Sequence, residues 1–332
     1  MSDPERVLRI DEPSLGLIAY LVLDSTALGP AAGGVRTKAY SDEALAAADA
    51  KRLARAMTYK CALGGLDAGG GKAVVIASPT LDRERAFEAL GRHVEAFGGV
   101  FRTAGDFGTT DADLAAMART TQYVHTDTPN LAAAVGRGVL RCAEACAEHA
   151  GKPNVAGLRI AVQGAGDIGA AVVEAFTEAG AEVFVADLEE ARARAVAERT
   201  GATVIPPEGV LLRDVDLVAP CATGDVIDAR VAAELRAWAV CGGANNVCVD
   251  DAAHAALHER GIRFVPDMIS SAGAVIDGIG HTVMGLADRG PLIDALRATA
   301  RAVLEAASAD GRPPIVHAIE RARARIDAGR SS

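Results

Sequence analysis

Six residues constrain this chain most. GAGDIG at 164–169 lies between an apolar run, LRIAVQ, and a stretch of helical composition. A strand, a glycine-spaced turn and a helix, in that order, aim backbone amides and the positive end of the helix dipole at a pyrophosphate. Gly164 allows the tight turn, Gly166 lets a phosphate approach the backbone, and Gly169 lets helix and strand pack closely. The helix begins near Asp167 and Ile168, and the Asp167 carboxylate has to point away from any phosphate. The next apolar run, AEVFVAD (181–187), ends on Asp187. A carboxylate there accepts both ribose hydroxyls and repels a 2′-phosphate, which predicts NAD rather than NADP. The plainer alternative is a tight turn in an α/β sheet followed by a surface acid.

Further apolar runs alternate with helical spacers: VDLVAPC (215–221), WAVCGGA (238–244) and IRFVPD (262–267). Strands that are apolar throughout, with helices between them, predict parallel βαβ units covered on both faces, a doubly wound domain. Upstream, LGLIAYLVLD (15–24) reads as a strand and 41–60 as a helix, with Ser41 as N-cap and Asp42 and Glu43 at the positive end of its dipole. Five glycines between 64 and 71 predict a loop, followed by a strand, KAVVIAS. A helix near 81–97, a strand at 100–104 and a helix near 111–119 follow. DTPNL (127–131) marks a turn and 132–151 a long helix.

The chain has 332 residues, enough for two domains. The α/β reading divides it into a first domain at 1–126, a dinucleotide-binding domain at 127–290, and a helical segment at 291–332 that folds back onto the first. A net charge of −10 disfavours nucleic acid as a partner. No apolar run is long enough to span a membrane, and the start has no apolar signal-peptide core. The six cysteines form no CxxC pair and read as reduced thiols of a cytoplasmic protein; Cys142 and Cys146 read as helix packing rather than a metal pair.

Of the 34 basic residues only five are lysines: 38, 51, 60, 72 and 152. An amine can lose its proton near neutral pH and a guanidinium cannot, so a chain that otherwise uses arginine draws attention to its lysines. Lys60 and Lys72 flank the glycine segment. Crowded into one partly dry pocket, repulsion and desolvation would lower the pKa of one, making it a general base, while the other pairs with a carboxylate. On spacing alone they could equally be two surface cations. Asp106, between Gly105 and Gly108, is a candidate partner or simply a turn acid.

The segments GPAAGGVRT (29–37), RAMTYKCALGGLDAGGGKAVV (55–75), TAGDFGTT (103–110), AVQGAGDIG (161–169), VAPCATG (218–224) and GGANN (242–246) resemble the Glu/Leu/Phe/Val amino-acid dehydrogenases, most of all the leucine, valine and phenylalanine branch. The resemblance runs over nearly the whole chain. It implies an N-terminal α/β substrate and oligomerisation domain, a doubly wound Rossmann domain, and an active site in the cleft. It implies that Lys72 activates water, that Lys60 binds the substrate α-carboxylate with backbone around Gly33 and Gly34, and that Asp106 exchanges protons with the amino group. Asn245 and Asn246 then line the nicotinamide, with Cys221 and Ala222 also on the NAD side. The implied reaction is reversible oxidative deamination of an L-amino acid to a 2-oxo acid, ammonium and NADH, by a homo-oligomer.

Several positions depart from that pattern. Val135 stands where the family often has a threonine that touches the nicotinamide carboxamide, and Ser271, in SSAGA, where it usually has an asparagine. The side-chain pocket maps to Ala32, Ala104, Val275 and Gly278, and Ala32 and Gly278 are smaller than the residues usual in leucine enzymes. The expected substrate is therefore large and apolar, phenylalanine-like before leucine-like. Asp277 adjoins this wall and would favour a polar substrate group only if it faced inward. Val135 and Ser271 also motivate an alternative, an NAD-dependent reductase of an imine or N-substituted amino acid. A third reading is a catalytically idle NAD-binding regulator.

Overall fold

The computed structural model describes residues 3–126 and 131–331. The turn expected at 127–131 lies outside the described residues except for Leu131. The chain divides into two compact units, one of Met1–Pro129, Ile279–Leu286 and Ala322–Ser332, the other of Asn130–Gly278 and Ala287–Arg321.

The first unit is built on strands β1 (Arg6–Glu12), β2 (Leu17–Ser25) and β3 (Ala31–Lys38), helix α1 (Glu43–Leu63), strand β4 (Gly69–Ile76), helix α2 (Arg83–Glu95), strand β5 (Phe101–Gly105) and helix α3 (Asp111–Ala118). Its sheet runs β1-β2-β4-β3-β5. β1–β2 and β2–β4 pair antiparallel, while β3 pairs parallel with both β4 and β5. On one face Leu17 and Leu21 pack with Phe87, Leu90, Phe101 and Met117. On the other, the alanine side of α1 (Ala46, Ala50, Ala54) lies on Val22 and Val74.

Three expectations change here. The loop in the glycine segment ends at Ala68, because β4 already starts at Gly69 and takes in Gly70 and Gly71. A Cβ on Gly70 would fall 2.1 Å from the backbone nitrogen of Thr58 on α1, so it is the protein's own helix that approaches the bare backbone. The N-cap of α1 is Asp42, whose side chain accepts from Ala44 N, rather than Ser41. β3 has no counterpart among the strands expected from sequence.

The second unit contains helix α4 (Leu131–His149), strand β6 (Arg159–Gln163), helix α5 (Asp167–Glu178), strand β7 (Glu182–Ala186), helix α6 (Glu190–Thr200), strands β8 (Thr203–Val204) and β9 (Leu217–Pro220), helix α7 (Ala229–Glu234), strand β10 (Ala239–Val240), helix α8 (Asp251–Glu259), strand β11 (Arg263–Phe264) and helix α9 (Asp267–Ser270). Helices α10 (Gly273–Thr282), α11 (Gly290–Asp310) and α12 (Pro314–Arg330) follow. The sheet is parallel throughout in the order β11-β10-β9-β6-β7-β8, the doubly wound arrangement expected. The segment 291–332, expected as one piece, is divided: α11 belongs to the second unit, where Asp294 accepts from Arg137 and Arg141 of α4, and only 322–332 groups with the first. All six cysteines are free and buried. No helix among the described residues is long and apolar enough to cross a membrane.

Candidate active site

In the first unit three parallel strands bring the reactive groups together. β3 lies between β4 and β5. Lys72 stands on β4, Asp106 directly follows β5, and Arg36 stands on β3 between them. The Nζ of Lys72 lies 2.8 Å from Oδ2 of Asp106, and the Nε of Arg36 donates to the same oxygen at 2.9 Å. Gly34 makes this possible, since a Cβ there would come within 2.8 Å of the Asp106 Cβ. Arg36 is itself steadied by Asp49 of α1, which also accepts from the hydroxyl of Tyr40 at 2.7 Å.

Lys72 is only 6% exposed. Burial pushes its ammonium below the ordinary lysine range; Asp106 pulls the other way, and the charge of Arg36 adds to the lowering. Spacing pairs Lys60 with Lys72 without saying which amine loses its proton; in the structure burial and the charge of Arg36 lower the pKa of Lys72. Burial opposes ionisation of Asp106, yet Lys72 and Arg36 hold its carboxyl below the usual range. An amine inclined to lose its proton thus touches a carboxylate held ionised, an arrangement able to pass a proton between a water and a substrate nitrogen.

Lys60, 8% exposed, lies in the last turn of α1. That turn is capped from α12, where the Arg325 guanidinium donates to the carbonyls of Cys61 and Ala62. Gly33 faces Gly71, whose carbonyl oxygen would sit 1.8 Å from an added Cβ. Ala32 is buried and pairs with Gly70, and Ala104 pairs with Gly34 across β3–β5.

In the second unit the GAGDIG turn leaves β6, the strand flanked by β7 and β9. Its three glycines have three separate reasons. Gly164 has φ of +98°, Gly166 has open space where a Cβ would be, and a Cβ on Gly169 would lie 1.9 Å from the Gly164 carbonyl oxygen. Gly166 caps α5, and Asp167 is exposed in its first turn beside Ile168. Asp187 follows β7 and accepts from Ala165 N at 2.7 Å and Glu189 N at 2.8 Å, so its carboxylate is anchored to the turn. The next residue, Leu188, is 93% exposed. This open turn, helix N-terminus and fixed acid fit an NAD pyrophosphate and ribose.

Cys221 lies just past β9, with its thiol pushed up to about 12 by burial, and Ala222 abuts Gly164. Asn245 and Asn246 form an exposed turn after β10; Asn246 has φ of +52° and donates its backbone N–H to Asp267. The Ser271 hydroxyl lies 2.6 Å from the Asp267 carbonyl oxygen and 3.1 Å from Asn245 Oδ1. Val135 is buried, its side chain and that of Ile168 both close against Gly243. Val275 is half-buried, and a Cβ on Gly278 would meet nothing. Asp277 is paired with Arg289 at 2.9 Å, so its charge is balanced within the protein.

The Glu/Leu/Phe/Val dehydrogenase dimerisation domain matches residues 4–123, and the Glutamate/Leucine/Phenylalanine/Valine dehydrogenase domain matches 130–189 and 183–278. The chain belongs to this dehydrogenase family. It is 34% identical to leucine dehydrogenase of Bacillus subtilis, over 99% of this chain and 93% of that one. It is 35% identical to valine dehydrogenase of Streptomyces virginiae, over 98% and 94%. The crystal structure of L-tryptophan dehydrogenase from Nostoc punctiforme superposes with a TM-score of 0.89 at 31% identity, covering 99% of this chain and 98% of that one. Like those relatives, this member of the family is an amino-acid dehydrogenase. Arg36 is the site residue that sequence reasoning missed. It stands two residues after Gly34 on one strand, and hence on the same face as the glycine beside Asp106, which is the signal that could have found it.

Proposed function

We propose that this dehydrogenase catalyses the reversible, NAD-dependent oxidative deamination of an L-amino acid with a large apolar side chain, giving the 2-oxo acid, ammonium and NADH. The observation that carries the reading is the buried Lys72 amine on an ionised Asp106. Bound NAD supplies the hydride acceptor for the substrate Cα, and the turn at 164–169 with Asp187 would hold it. Lys60 holds the substrate α-carboxylate, with backbone at Gly33 and Gly34. Lys72 takes a proton from the water that adds to the imine carbon, and Asp106 exchanges protons with the departing nitrogen. Arg36 keeps Asp106 charged.

The open space at Gly278 and the small Ala32 favour a bulky side chain, phenylalanine-like before leucine-like, and pairing of Asp277 with Arg289 removes the case for a cationic one. The family resemblance assigns Ala104 and Val275 to the same substrate side chain. The Ser271 hydroxyl is engaged by Asp267 and Asn245, so it offers little to an imine-reductase reading. We also propose a homo-oligomer working in the cytoplasm, where six buried thiols stay reduced.

A screen for NADH production over the common L-amino acids at alkaline pH tests the reading. A higher kcat/KM for valine than for phenylalanine rejects the enlarged pocket. Turnover that needs no ammonium in the reverse direction favours imine reduction. Lys72→Ala should abolish turnover with NAD affinity nearly unchanged; full activity in that variant removes Lys72 from the chemistry.

A further inference from the structure

Away from these residues, a cavity of about 280 Å³ opens in the first unit. It lies between the end of β2, the last turns of α1 and the C-terminal turns of α12. Three guanidinium groups line it, those of Arg55, Arg323 and Arg330, against two carboxylates, Asp24 and Asp327. The carboxylates are already committed. Asp24 is buried and accepts from Arg55 Nε and from the Thr58 hydroxyl, and Asp327 pairs with Arg330 at 3.4 Å. Arg323 is different. Its Nε makes a long contact of 3.4 Å to the Tyr59 hydroxyl, and among the described residues no carboxylate lies within ion-pairing distance of it. The Ser25 hydroxyl accepts from Ala27 N, which leaves its proton to donate.

In a chain of net charge −10, this hollow carries excess positive charge and spare donors. A guanidinium fork matches the paired oxygens of a phosphate or carboxylate. The cavity is about nine times the liquid volume of a water molecule, more than one small inorganic ion fills. We propose that it binds a small metabolite bearing a phosphate or carboxylate group, and that the bound anion tunes substrate affinity. The walls lead to the lysines: Tyr59 precedes Lys60 on α1, and Ser25 pairs with Gly70, two residues before Lys72 on β4. An anion drawn to Arg323 fastens α12 to α1 beside Lys60, and so acts on KM more than on kcat.

Calorimetric titration of the full chain, without coenzyme or amino acid, tests the site with inorganic phosphate and with citrate at constant ionic strength. The expected result is saturable binding of one anion per chain, weakened about tenfold or more in Arg323→Gln and partly regained in Arg323→Lys. Preference for phosphate or for citrate identifies the ligand group. Arg330→Gln, a second variant about two turns further along α12, should also weaken binding, which covers the case in which Arg323→Gln folds poorly. In Arg323→Gln kcat stays at the wild-type value, and any dependence of KM on the anion disappears. No saturable heat with either anion, or equal binding by both variants and the wild type, overturns the proposal. Because the titration involves no turnover, its outcome is independent of whether the deamination reading holds.

Discussion

One oxygen of Asp106 takes contacts from both Lys72 and Arg36, and the consequences for pH have opposite signs. Asp106 raises the Lys72 pKa and Arg36 lowers it. An amine is a base only when deprotonated, so in the proposed role of Lys72 a lower pKa gives activity at lower pH. Arg36→Gln should therefore move the rising limb of kcat/KM against pH upward, and Asp106→Asn should move it downward while reducing the rate. Unmoved limbs in both variants would separate Lys72 from the titration. The open space at Gly278 has a kinetic reading too. Gly278→Val, at ~0.8 kcal/mol per buried methylene, should lower kcat/KM for phenylalanine relative to valine by about tenfold or more. At this scale the lysines are legible because they are scarce. Arg36 is not, because most basic residues here are arginines, and its meaning comes only from the strand beside it.

Among the elements, α4 and α11 are fastened by Arg137 and Arg141 on Asp294. Their hydrogen bonds and charges hold the Asp294 carboxyl down to about 2. A depressed folded-state pKa stabilises above the unfolded value, about 3.9, and the gain is lost as pH falls through the folded one. The stability difference between wild type and Asp294→Asn should be complete above about pH 5 and be lost as pH falls through about 2. Asp294 is partly exposed, so the full difference should be no more than about 1 kcal/mol. Denaturant melts over that range decide it. The helices and the strands of the parallel sheet are readable from apolar runs and caps. β3 is not, since Gly33 and Gly34 lack strand propensity and pairing with β4 and β5 holds it extended. β1 buries only Ile10 fully, so its pattern is faint. β10 and β11 are two residues each, shorter than the apolar runs at 238–244 and 262–267, and β8, also two residues, has no counterpart among the expected strands.

For the molecule as a whole, β1 lies at the edge of the first sheet, its far side unpaired among the described residues and Val7 exposed. An open edge in a unit that matches a dimerisation domain predicts self-association. Light scattering should give a mass of at least two chains, and a monomer at micromolar concentration would count against it. The basic residues carry a practical corollary. Lys60 and Lys72 are shielded, Lys38 and Lys51 lie in the open, and Lys152 is half covered over the Trp238 ring. Amine-directed coupling to a resin or dye will therefore tether the protein through a few exposed handles and spare the two buried amines.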